Sequence, residues 1–416
     1  MKGRKKLLGD YIDILPGFAF KTKDFLDEGV PIVKIKNITP PNVSLEDLTY
    51  VSNEIAQKSE KFMLSYNDVL IAMTGSHINQ WASVVGRVAR VKYKEKSLLN
   101  QRVGKIIVKD QKKANIDYIY YFLQQDETKV MLANQAGGAA NQANISPLMI
   151  KRLEFPAPDI EVQNKIADIL SAYDELIENN QKQVKLLEEA AQRLYKEWFV
   201  DLRFPGYEQT KIIDGVPEGW RKEQIGNICD YIRGKSYSSK EIVSDGEILM
   251  VNLKNISAYG GYSRGVEKGY CGMVNDNQLL SKGNLIMGVT DMTQERRLVG
   301  HVAIVPKLNK PAIFSMDLIK LISENHANAF LYSAFRYGGI SKKISQLANG
   351  VNVLHLKPDA MMDVEIIVPD KMIELKYEKA FWNIEDKIEM LYQQIDLLVQ
   401  ARDRLLPKLM SGEIEV

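Results

Sequence analysis

Along two stretches of this chain, apolar residues recur at alternating steps of four and three. The first stretch runs Ile166, Leu170, Tyr173, Ile177, Asn180, Val184, Leu187, Ala191, Leu194, Trp198. The second, 211 residues further on, runs Tyr377, Phe381, Ile384, Ile388, Leu391, Ile395, Leu398, Arg402, Leu405, Leu409. A 3.5-residue repeat held over about five heptads predicts a coiled-coil seam. About 40 residues at roughly 1.5 Å each make a rod of roughly 60 Å. Asp159 and Asp370 each follow a proline and stand where an N-cap would accept the first free N–H groups. The polar interruptions are Asn180 and Arg402. Two readings of them stand: each fixes register at a cost in stability, or each marks a place where the seam opens to water.

Elsewhere the pattern changes. Residues 30–35 and 68–73 are short, β-branched and bounded by turn residues, as are 247–253 and 284–289, and all four read as strands. Residues 115–131 and 327–348 read as helices. Phe204-Pro205-Gly206 and Gly215-Val216-Pro217-Glu218-Gly219 punctuate a linker. These segments repeat as well. Leu8-Gly9-Asp10 matches Ile225-Gly226-Asn227 at an offset of 217, and Val33 to Ile38 matches Val251 to Ile256 at 218. Val69 to Thr74 matches Leu285 to Thr290 at 216, and Gly86-Arg87-Val88-Ala89 matches Gly300-His301-Val302-Ala303 at 214. From Gln135 and Gln346 the offset holds at 211. A drifting offset implies variable loops, and a constant one implies a rigid element. The fold class expected is α+β: two globular parts of mixed α/β structure and two long helices whose seams pack together.

Composition narrows the chemistry. The 416 residues are 45% hydrophobic and 26% charged, with two cysteines and four histidines. No run of eighteen apolar residues exists and no apolar stretch follows the basic start, so a membrane span and a secretory signal are not expected, and a cytoplasmic location is. Cys229 and Cys271 are too few and too far apart for a disulfide scaffold or a zinc site, and read as small buried residues. The net charge is +2. Residues 1–159 hold 23 Lys+Arg against 17 Asp+Glu, while 160–200 hold 5 against 8. Residues 201–371 carry 21 against 19, and 372–416 carry 6 against 9. Basic globular parts suit a polyanion, and acidic helices do not.

No catalytic site is legible. A Gly-x-x-x-x-Gly-Lys-Ser/Thr phosphate loop is absent, and Tyr259-Gly260-Gly261-Tyr262 reads as a turn. Thr39-Pro40-Pro41-Asn42 loosely resembles a base-methylating tetrapeptide without its leading Asn or Asp and its closing aromatic, and reads as a Pro-rich loop. No nuclease arrangement of carboxylates and lysine is apparent.

The matching loops carry the candidate chemistry instead. After the strand ending at Met73 come Thr74, Ser76, His77, Asn79, Gln80 and Trp81; after Val289 come Thr290, Asp291, Thr293, Gln294, Arg296 and Arg297. Asn and Gln can pair bidentately with adenine and Arg with guanine. A second matching pair holds Gly138, Asn141, Gln142 and Asn144 in one half, and Asn349 and Asn352 in the other. Lys34, Lys36 and Lys254 are candidates for phosphate contacts, which position without reading sequence. Solvated loop residues are the other reading of all of these. Phe18, Phe20 and Tyr237 read as core aromatics.

Several segments resemble the DNA-specificity subunit of type I restriction-modification systems. They are Leu194 to Gly206 (LYKEWFVDLRFPG), Val216-Pro217-Glu218-Gly219-Trp220 leading to Ile225-Gly226, Gln163 to Leu170 (QNKIADIL), and Leu405 to Ile414 (LLPKLMSGEI). One departure is that the first half begins at Leu8-Gly9-Asp10 without the Pro-Glu-Gly-Trp lead-in. The resemblance implies a first target-recognition domain at 1–158, a helix at 159–200, a linker at 201–219, a second domain at 220–369 and a second helix with tail at 370–416. It implies an antiparallel intramolecular coiled coil relating the domains by a pseudo-two-fold axis. Each domain then reads one half of a bipartite target in double-stranded DNA. Two methyltransferase subunits, and restriction subunits, are the implied partners in prokaryotic defence, with no membrane involved. S-adenosylmethionine, ATP and magnesium belong to those partners, so the chain itself is expected to be non-catalytic, without metal or cofactor. A coiled-coil DNA-binding scaffold or regulator without methylase partners is the competing class.

Overall fold

The computed structural model describes residues 6–137 and 142–416. The chain divides into two compact units, Met1–Glu178 with Ile395–Val416, and Asn179–Gln394. Each unit takes one globular part and a stretch of both long helices.

In the first unit a main sheet runs in the order Ile12–Pro16, Val103–Val108, Val69–Ala72, Val88–Arg90, with Asn42–Val43 and Ile38–Thr39 at its far edge. Val103 pairs Ala72 and Val88 pairs Ile71, both antiparallel. A second sheet runs Thr49–Val51, Val30–Val33, Ser97–Leu99, Met63–Leu64, with Leu98 parallel to Ile32. The strand Val69–Ala72 is buried at every residue because both its faces are covered. Val69 and Ile71 join the core beneath the helices, with Tyr118 and Phe122, while Leu70 and Ala72 join Val33 and Leu99. That explains a continuous apolar run where one-sided burial would give alternation.

The second unit repeats this order. Its first sheet runs Asp230–Arg233, Leu318–Ile322, Leu285–Gly288, Val302–Ile304. Its second runs Lys268–Tyr270, Ile248–Val251, Ala312–Phe314, Leu279–Leu280, with Ile242–Val243 added at the edge. Leu285 and Met287 face Phe330 and Phe335, and Ile286 faces Val251 and Phe314.

The two long helices are Ile160–Tyr195 and Lys371–Ser411. Both start after the expected aspartate. The Asp370 carboxylate accepts from the Met372 N–H at 2.8 Å, whereas Asp159 offers its backbone carbonyl to the Gln163 N–H. Their seams pack on each other antiparallel within each unit. In the first, Ile166 and Leu170 share a core with Leu409 and Met410, and Arg402 reaches Asp174 at 2.7 Å. In the second, Val184 packs with Ile388 and Leu391, and the Asn180 amide donates to Gln394 at 3.3 Å. Both polar interruptions are therefore partnered across the seam. The motif residues beyond the first helix form an aromatic plug: Phe204, Trp220 and Ile373 are buried, with Phe199 and Phe204 5.7 and 4.9 Å from the Trp220 ring.

Three local expectations change. The helix expected over 115–131 is two, Ile116–Gln124 and Asp126–Gln135, because Gln125 leaves the helical conformation at ψ 138° and the Phe122 carbonyl accepts from the Gln125 N–H and the Thr128 hydroxyl instead. The one expected over 327–348 is also two, Asn328–Tyr337 and Ile340–Ser345, broken at Gly338-Gly339 where Gly339 takes φ +78°. Cys229 is buried, and burial pushes its thiol up to about 12. Cys271 is exposed, directly after the strand Lys268–Tyr270, whose Tyr270 takes the buried position instead. Phe20 is buried, with Phe18 and Tyr237 packed against core clusters, as expected.

Candidate nucleic-acid interface

Within each unit the fold joins the two polar loops that the sequence singled out separately. Thr74–Gly75 forms a short antiparallel ladder with Ala143–Asn144, and Thr290–Asp291 forms one with Leu354–His355. A lysine-bearing turn is tied to the same rim. In the first unit Arg87 bridges the turn Ile35–Asn37 and the first loop, donating to the carbonyls of Ile35 at 3.4 Å and Ala82 at 2.5 Å. In the second, Tyr259, beyond the turn Leu253–Asn255, donates its N–H to the Arg297 carbonyl at 2.8 Å.

Buried polar groups organise these segments. Asn37 and Asn255 are buried; each accepts from the backbone N–H three residues earlier, and their amides donate to Glu46 and Ser263 carbonyls. Asp291, buried, accepts at one oxygen from the Thr293 N–H and hydroxyl, and at the other from the Leu298 and Val299 N–H groups. Burial raises this carboxyl, and those donors outweigh it, holding it below the usual range.

The predicted site residues therefore divide. Thr74, Ser76, Thr290 and Asp291 point inward and hold the rim: Thr74 donates to Asn144 at 2.7 Å, Ser76 to the Gln80 carbonyl, and Thr290 to Asp317 at 3.0 Å. Thr293 is exposed but engaged with Asp291. Arg296 is half-buried on the Ser345 carbonyl, and His77 is half-buried. Gln294 is exposed and donates to the Val351 carbonyl, and Asn349 to that of Leu347. Lys34 is half-buried over the Phe25 ring at 3.9 Å and donates to Thr49; burial, then Lys36, lowers its pKa. Lys36, Asn79, Gln80, Gln142, Asn144, Lys254, Arg297 and Asn352 are exposed, Arg297 pairing with Glu295 at 3.2 Å. Gly138 and Asn141 lie outside the described residues.

Sequence reasoning missed the bridging role of Arg87, and Arg102, whose guanidinium donates to the Thr74 hydroxyl at 3.4 Å. It also missed Lys129, which sits over the exposed Trp81 ring at 5.2 Å. No spacing signal could have found these pairs, because the partners lie on different elements. Among the described residues, no helix is long and apolar enough to cross a membrane, and no group of three or more His, Cys, Asp or Glu could hold a metal ion.

Residues 4–189 and 217–397 match the family described as type I restriction modification DNA specificity domain. The chain is 28% identical over 392 residues to the type I restriction enzyme MjaIX specificity subunit of Methanocaldococcus jannaschii, spanning 91% of this chain and 86% of that one. It is 23% identical over 364 residues to the HindI specificity subunit of Haemophilus influenzae, spanning 72% and 77%. Its fold is similar to the crystal structure of a type I restriction-modification S subunit from M. genitalium, with a TM-score of 0.56 at 17% identity, covering 98% of this chain and 95% of that one.

Proposed function

The chain belongs to the type I restriction modification DNA specificity family, and we propose that each of its two units reads one half of a bipartite target in double-stranded DNA. It is the DNA-recognition subunit of its system. The observation that carries the proposal is the repeated rim. In each unit a lysine turn, an Asn/Gln/Arg-bearing loop and a glycine–asparagine segment are locked together. Exposed Lys36 and Lys254 supply phosphate contacts; Asn79, Gln80, Gln142, Asn352 and Arg297 supply groups able to pair with base edges.

In this reading the long helices dock two methyltransferase subunits and set the unread spacer, and restriction subunits join the assembly in the cytoplasm. S-adenosylmethionine, ATP and magnesium serve those partners, and adenine methylation and cleavage are theirs. Nothing in the comparisons favours a scaffold acting without methylase partners.

The test is a whole-genome methylation map of cells expressing this chain with its neighbouring methyltransferase, beside cells with the methyltransferase alone. A bipartite adenine-methylation motif present only with this chain is the expected result. Co-purification of the two proteins without any motif would remove the reading role, and failure to co-purify would remove the assigned partners.

A further inference from the structure

On the polar rim of the second unit two apolar side chains stand far into water, further than Tyr259 at 59% and Leu347 at 37%. Met292 is 78% exposed and Val351 is 89% exposed. They lie at one end of the same ladder. Met292 directly follows Asp291, whose ladder partner is Leu354, and Val351 precedes that partner by three residues. The Gln294 amide bridges the two loops by donating to the Val351 carbonyl at 2.7 Å.

Neither side chain stands out because its loop is loose. Asp291 anchors one loop through four hydrogen bonds. The other turns at Gly350, with φ +149°, where an added Cβ would lie 1.9 Å from the Val353 carbonyl oxygen. The backbone thus presents two apolar groups to solvent, against the hydrophobic effect, amid hydroxyl, amide and guanidinium groups. What covers them must be apolar where they touch and anionic around them. Residues 340–357 carry Lys342, Lys343 and Lys357 and no acidic residue, and Lys254 is exposed on the adjoining turn.

A DNA major groove meets both conditions. In unmodified DNA its only methyl group is the C5 methyl of thymine, framed by phosphates. Resting on the reading of this chain as a specificity subunit, we infer that Met292 and Val351 recognise the C5 methyl of a thymine in the half-site read by the second unit. They add an apolar determinant to the hydrogen-bonding groups of that rim.

The test uses the full chain in complex with its methyltransferase. The duplexes carry the mapped target with 2′-deoxyuridine in place of thymidine, one position at a time in both halves. This removes the methyl and leaves base pairing intact. The second unit's half is the one unchanged when residues 1–158 are exchanged. The wild-type complex should lose about three- to tenfold in methylation kcat/KM at one thymine of that half. The Met292→Ala/Val351→Ala variant should methylate thymidine and deoxyuridine duplexes equally there, and respond like wild type to substitutions in the first half. The inference is overturned if no deoxyuridine in the second half slows the wild type, or if the variant keeps the discrimination. It is also overturned if the variant weakens both duplexes while wild type ignores the methyl, which would make the pair a wedge between base steps. A lost methyl effect beside a retained motif removes this inference alone. Absence of any motif removes the specificity reading as well.

Discussion

At the residue scale, buried polar side chains set the shape of the rim and tie it to the helices. Gln163 and Glu374 stand 211 residues apart, and both are fully buried. Gln163 accepts from the Asn115 N–H and donates to the Lys113 and Pro158 carbonyls; Glu374 accepts from the Ala327 N–H and meets His326 Nδ1 at 2.9 Å. Each ties a long helix to the start of a shorter one whose first N–H groups need partners. Asp291 does comparable work at the second rim, and its titration is testable. Its carboxyl lies below the ordinary range when folded. The stability it contributes is therefore present above the unfolded pKa of about 4 and is lost as pH falls through the lower folded value. Amide-exchange protection at Leu298 and Val299 should drop as pH is taken below about 4. Asp291→Ala should remove that pH dependence and cost roughly 1–3 kcal/mol in thermal unfolding. Equal protection in the wild type and the variant would show that the loop holds without the carboxylate.

At the element scale, the two seam interruptions differ in what their removal leaves behind. Asn180 donates to Gln394, which is exposed and can rehydrate. Asn180→Leu should therefore stabilise by about 1 kcal/mol, since a net hydrogen bond is exchanged for apolar burial. Arg402 meets Asp174, a half-buried carboxylate that also accepts from the Tyr121 hydroxyl at 2.6 Å. Arg402→Leu should destabilise by roughly 1–3 kcal/mol, because it leaves that carboxylate under-compensated. Thermal melts of opposite sign are the expected pair; shifts of the same sign would refute the distinction. Glu385 makes a third case. Burial, partly offset by Arg336 and reinforced by Glu188, pushes it up to about 7. The folded chain holds this proton more tightly than the unfolded one, so stability falls as pH rises from about 4.5 to 7. Glu385→Gln should match wild type at pH 4 and exceed it by roughly 1–3 kcal/mol at pH 8, measured by denaturant unfolding.

At the scale of the whole molecule, one chain builds the same strand order twice and gives each copy its own rim. If each unit reads its half-site alone, exchanging residues 1–158 for the matching region of another family member should change one half of the methylation motif. The other half should stay intact. A change in both halves would show that reading is shared between the units. The variable early offsets fall in the globular parts, and the constant offset of 211 runs from Gln135 and Gln346 through the helices. Loop changes can alter readout without altering the packed seam.

The sequence alone determined what depends on local periodicity: the two long helices with their 3.5-residue seams, the buried central strands, the doubled architecture, and the loops that carry polar side chains. Those properties follow from burial along one element, so they are written in residue spacing. Only the tertiary structure decided which loops meet. The ladders joining Thr74 to Asn144 and Thr290 to His355 span 70 and 65 residues, and no spacing rule encodes such a pairing. It also separated the inward Thr74, Ser76, Thr290 and Asp291 from the outward Asn79, Gln80 and Arg297. All are polar and lie in the same loops. Their direction depends on which backbone donors and acceptors the fold brings within reach, and that depends on three-dimensional contact, not on order along the chain.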